Sequence, residues 1–194
     1  MANHAYVRDC KTQLTKEGIE LAFDKINQDL TCGLLSYKHS KDEDGRDYWI
    51  IRLHELHNEY GVELSSEDCQ YHGIEVWRNS DTEFEIRHGH QFQVMWWLDR
   101  QITAEIARAF NGHLFDDAFS EEITPTPKSS FYDYAMLRVA GIPDKNEATC
   151  RLNTLMVSAP KKLVKDWELP LDTKKELLAQ YDLLIQHQSI SLEN

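Results

Sequence analysis

The apolar positions of the chain change period several times, and those changes divide it into elements. Across residues 83–88, Phe84 and Ile86 alternate with charged residues, the period of a strand with one face in water. The period then lengthens: Met95, Leu98, Ile102, Ile106, Ala109 and Phe110 recur at the three-and-four spacing of one helical face, and Gly112 reads as the stop before a further short strand. Nearer the start, Ile19, Ala22, Phe23, Ile26 and Leu30 trace another amphipathic helix. Thr15 stands where its N-cap is wanted, and Gly33 where a left-handed residue should end it. Gly18 weakens its first turn, and residues 5–10 read as a strand ahead of it.

Two hairpins are predicted between the helices. Residues 34–38 and 48–53 are rich in branched and aromatic side chains and flank Asp42-Glu43-Asp44-Gly45, a turn composition. Residues 74–78 and 83–88 form the second pair, joined through Asn79-Ser80-Asp81. The polar stretch 54–69 is expected to hold a short helix followed by an exposed loop. This order of elements predicts an α+β fold, a mainly antiparallel sheet with helices packed on one face.

Thr124-Pro125-Thr126-Pro127 interrupts that texture, because prolines at this spacing favour extended backbone and continue neither a helix nor a central strand. Beyond it, Asp144 and Glu147 make a capping signature ahead of Leu152, Leu155 and Met156. Asp172 caps a last helix striped by Leu177, Leu178, Tyr181, Leu184 and Ile185. The expected organisation is an α+β core over 1–123, a Pro-containing connection at 124–128, and a predominantly helical region over 129–194 packed on the core.

Within the long helix Trp96 and Trp97 stand on opposite flanks of the apolar stripe, more than a quarter-turn away from it. The main core does not account for them. Either other elements of the chain cover them, or they anchor a partner, a role in which Trp is enriched.

Length and composition narrow the classes. The 194 residues, 41% hydrophobic and 28% charged, suit one main unit with its own core. A net charge of -12 argues against direct nucleic-acid binding, which needs a basic stripe. Acidity by itself serves solubility; its functional counterpart is attraction to a basic protein partner. Cys10, Cys32, Cys69 and Cys150 lie far apart without a C-x-x-C pair and are expected to stay reduced. No apolar run suits a signal peptide or a membrane span, so a cytoplasmic location away from membranes is expected.

Candidate chemistry is sparse. Neither a phosphate-cradling glycine loop nor a nucleophile elbow occurs, and no cofactor is expected. His88 and His90 are alternate residues at a strand end and form the best metal pair, with His113, Asp116 or Asp117 as further ligands. His54-Glu55-Leu56-His57 has the wrong spacing for a zinc-protease helix, although i and i+3 imidazoles would share a helix face. Asp116-Asp117 and Glu121-Glu122 read as a solvated acidic rim, since neighbours on extended backbone point opposite ways.

These readings combine into a non-catalytic binding protein of the inhibitor, immunity or adaptor type. It would engage a protein partner through Trp96, Trp97, Asp116, Asp117, Glu121 and Glu122. Two alternatives stand beside it: a small metal-assisted hydrolase built on His88, His90 and a nearby carboxylate, and a structural subunit of a homo-oligomer.

Overall fold

The computed structural model describes residues 3–58, 61–65, 67–88, 92–116, 122–140 and 142–165. Seven strands form one antiparallel sheet: β1 (Asn3–Arg8), β2 (Leu35–Lys41), β3 (Asp47–Leu53), β4 (Ile74–Arg78), β5 (Phe84–His88), β6 (His113–Asp116) and β7 (Glu122–Ile123). Their order across the sheet is β2-β3-β4-β5-β1-β6-β7. Both predicted hairpins are present, and β1 lies between β5 and β6 rather than at an edge.

Helices α1 (Lys16–Asp29) and α3 (Gln93–Phe110) pack together on one face of this sheet. Val7, Trp49, Ile51, Ile74, Val76, Phe84 and Ile86 point into that layer and are fully buried, as alternation along each strand requires. Thr15 is the N-cap of α1 as predicted, its hydroxyl accepting from the Gly18 N–H at 3.1 Å. Gly18 has a positive reason to be glycine: a Cβ there would stand 2.8 Å from the Phe110 ring of α3.

The end of α3 differs from the reading of Gly112 as its stop. Asn111 is the left-handed residue that closes the helix, with φ 49°. Gly112 instead lets the chain pass against β1, because a Cβ there would stand 2.5 Å from Val7 and 2.8 Å from the Cys10 sulfur.

The stretch after β3 also departs from expectation. No helix covers His54 to His57, since Glu55 adopts φ 58°, a left-handed conformation that a helix cannot contain. His57 pairs with Glu63 in an isolated bridge, and the short helix α2 (Asp68–Tyr71) comes after the loop, not before it. His54 bonds Ser36 at 2.7 Å while His57 is buried, so the two imidazoles have separate settings.

Residues 124–130 run extended along α3 and are fastened to it. The Gln101 side chain donates to the Pro127 carbonyl at 3.3 Å and accepts from the Ser129 N–H at 3.3 Å. Arg108 donates to the Thr126 carbonyl at 3.1 Å. Three helices follow: α4 (Phe131–Val139), α5 (Lys145–Met156) and α6 (Lys161–Lys165). Asp144 accepts from the Glu147 N–H at 2.8 Å, the predicted cap of α5. Both α4 and α5 pack on α3, and polar residues of α3 are buried beside its apolar stripe, Glu105 against Lys25 of α1 and Gln101 against Pro127 and Ser129. The helix predicted from Asp172 lies outside the described residues.

Candidate functional site

With both long helices on one face, the other face of the sheet is uncovered among the described residues, and its side chains are half-buried or exposed apart from Glu85. Register places Ser40, Tyr48, Trp77, Glu85, Tyr6, Phe115 and Glu122 side by side in one row across all seven strands. A water-facing row is ordinarily polar. This one carries four aromatic rings.

The rings are held by their neighbours. Tyr48 lies nearly parallel to Trp77, with centroids 4.7 Å apart. From the strand on the other side, the Arg87 guanidinium lies 4.6 Å from the Trp77 ring, and Arg46 approaches to 5.6 Å. Arg8 covers Tyr6 at 4.4 Å and reaches Phe115 at 5.6 Å. Arg87 and Arg8 start from opposite sides of the row, on the adjacent strands β5 and β1, and fold back onto it. Their guanidiniums come to rest over rings of β4 and of β1 and β6, roughly two strand spacings, about 10 Å, apart.

Glu85 organises the centre. Only 7% exposed, it accepts from Arg87 Nε at 2.8 Å and Asn79 Nδ2 at 3.0 Å, and its other contact is His4 Nδ1 at 2.8 Å. Burial pushes its carboxyl up, but the hydrogen bonds from Arg87, Asn79 and His4 outweigh burial and hold it down at about 2. The bond to Glu85 holds Arg87 in return and raises its guanidinium pKa.

The residues picked from sequence are distributed differently. Trp97 takes the first of its two alternatives and is withdrawn from any partner surface. It is fully buried, donates from Nε1 to the Ser129 carbonyl at 3.0 Å, and meets Phe131 of α4 edge-on at 5.6 Å. Trp96 is half-buried and engaged within the chain. Glu122 is exposed at one end of the aromatic row, 2.6 Å from His113 Nδ1. Asp116 ends β6 opposite Ala5, while Asp117 and Glu121 lie outside the described residues.

The sheet register separates the proposed metal ligands. His88 stands opposite Asn3 and His113 opposite Arg8, so they flank opposite ends of β1, close to 20 Å apart by strand geometry. His90 lies outside the described residues, among which no three His, Cys, Asp or Glu side chains gather into a metal-binding group.

Sequence reasoning missed the Tyr6, Tyr48, Trp77, Arg87 and Phe115 array. Its signal was present, since aromatic and arginine side chains occupy outward positions that alternation assigns to water. Reading it required knowing that β1 joins β5 to β6 and so brings Tyr6 between Glu85 and Phe115. No helix among the described residues is long and apolar enough to cross a membrane. No protein-family model matches the chain, and a search of curated proteins finds no match.

Proposed function

We propose that this chain is a binding module that docks a protein partner on the helix-free face of its sheet, in the manner of an inhibitor, immunity protein or adaptor. The observation that carries this reading is the cross-sheet row of Tyr48, Trp77, Tyr6 and Phe115, overlaid by Arg87 and Arg8. Trp, Tyr and Arg dominate interface hot spots because they bring large contact area and fixed polar tips at small entropic cost. Here they are pre-organised, which lowers the cost of ordering them on binding.

The same geometry disfavours a stacked nucleobase as the occupant. Base recognition uses open aromatic faces, whereas Trp77 is stacked by Tyr48 from β3 and overlaid by Arg87 from β5. With Tyr48 against one side of Trp77 and a guanidinium beside its ring, little of that ring's face is left for a base.

Quantitative affinity capture from cells that make the protein tests this reading. Trp77→Ala and Phe115→Ser should each deplete the same captured partner at least tenfold, the loss typical of a hot-spot residue. Leu21→Ser, on the exposed side of α1, should leave it unchanged. Loss with the Leu21 variant and retention with both row variants would move the docking surface to the helical side.

A further inference from the structure

The net charge of -12 suggests a basic partner, but it does not describe the face that carries the aromatic row. Outward strand positions there hold Arg8, Lys38, Arg52 and Arg87 against Glu75, Glu85 and Glu122. With Glu83 and Arg46 at its margins, cations and carboxylates are nearly balanced, five against four. The acidity of the chain lies elsewhere.

Balance in number hides an imbalance in availability. Glu85 is buried and engaged on three sides, and Glu122 is bonded to His113. Glu83 faces Arg8 at 3.8 Å. The cations are less committed: Arg87 uses Nε on Glu85, and no acceptor within hydrogen-bonding distance of its terminal nitrogens is found among the described residues. Arg8, besides lying over its rings, makes one long ion contact among the described residues, that with Glu83. Three of the four carboxylates are thus engaged, leaving the exposed Glu75 opposite Arg87, while the Arg8 and Arg87 guanidiniums keep terminal N–H groups to offer.

Resting on the docking reading above, we infer that the partner surface received here is acidic, presenting carboxylates to the Arg8 and Arg87 guanidiniums while its apolar groups meet the rings of Trp77, Tyr6 and Phe115. Guanidinium forks match carboxylates with two parallel hydrogen bonds, and a fork already laid on a ring loses little freedom when it binds. The separation of the two forks, about 10 Å, matches carboxylates seven residues apart on one helix face. Local complementarity, not net charge, then selects the partner.

The test titrates the full chain, followed by backbone and indole amide NMR, with an alanine-based helical peptide carrying two glutamates seven residues apart. The same peptide with lysines in their place, and inorganic phosphate, serve as comparisons. The glutamate peptide should shift the amides of β1, β4 and β5 and the Trp77 indole, and bind at least fivefold more tightly than the lysine peptide. Arg8→Glu, which leaves Glu85 with all its partners, should weaken it at least fivefold, and Arg87→Lys should weaken it while keeping the Glu85 charge compensated. Equal or tighter binding of the lysine peptide on this face would overturn the acidic partner yet keep the docking face. A phosphate response equal to that of the glutamate peptide would reduce the site to a general anion site and also overturn it. No response of this face to either peptide overturns the carboxylate assignment, and shifts confined to α1 and α3 would count against the docking reading itself.

Discussion

Glu85 and Arg87 are alternate residues of one strand, and the guanidinium of the second folds back to bond the carboxylate of the first at 2.8 Å before lying across Trp77. A local two-residue relationship thus sets the posture of the whole aromatic row. With its carboxyl depressed from 4.5 to about 2, Glu85 contributes stability that is complete above its unfolded-state value and is lost as pH falls through about 2. Glu85→Gln should lower the unfolding free energy at pH 7 by roughly 1–3 kcal/mol. The gap from the parent chain should close between about pH 4.5 and pH 2 in denaturant titrations. A gap that persists at pH 2 would contradict the assignment.

Trp97 joins the C-terminal helices to the sheet-packed layer through its ring and one hydrogen bond. Trp97→Phe should cost about 1 kcal/mol for the bond to Ser129, and Trp97→Ala roughly 3–5 kcal/mol with the added cavity. Limited proteolysis within 124–130 should accelerate in the same order. Equal cleavage in all three proteins would show that Trp97 does not hold this segment.

Gly112 is required for space, not for its own φ angle. Gly112→Ala should destabilise the chain by about 1–3 kcal/mol by pushing β1 from the end of α3. Asn111→Gly, at the left-handed position, should be neutral or slightly stabilising. Equilibrium unfolding of the two variants distinguishes a packing constraint from a conformational one, and the opposite ranking would refute the assignment.

Thiol reactivity should follow burial. Burial, with Asp9 adding to it, pushes the Cys10 thiol up to about 11, and burial also raises Cys69. Cys150 is exposed on α5. Iodoacetamide at pH 8 should modify Cys150 in the native protein and reach Cys10 and Cys69 only after unfolding, because the thiolate is the reacting form. Intact-mass and peptide mapping over time would show this; Cys10 reacting as fast as Cys150 would not fit.

Local periodicity carried much of the fold. The stripe from Ile19 to Ile26 and that from Met95 to Phe110 identify α1 and α3, and alternation about Phe84 and Ile86 identifies β5. The misreadings arose where a tertiary neighbour or a single backbone angle decides. Gly18 and Gly112 look like local features until Phe110, Val7 and Cys10 are seen against them. Glu55 interrupts a plausible helical stretch with one left-handed residue. Trp97 needed α4 and Ser129 to explain its position. The docking row was least legible of all, because its members come from residues 6, 48, 77, 85 and 115, and only strand order makes them neighbours.

The interior position of β1 also governs when the protein can become itself. The earliest of the seven strands along the sequence is flanked by two that come much later, and Arg8 finds its partner His113 roughly a hundred positions downstream. A nascent chain halted after residue 110 would hold two amphipathic helices and both hairpins, yet β1 would have a neighbour on one side only. Completion of the docking row is therefore a late, long-range event: synthesis must pass β6 before Tyr6 meets Phe115 and β1 gains its second neighbour.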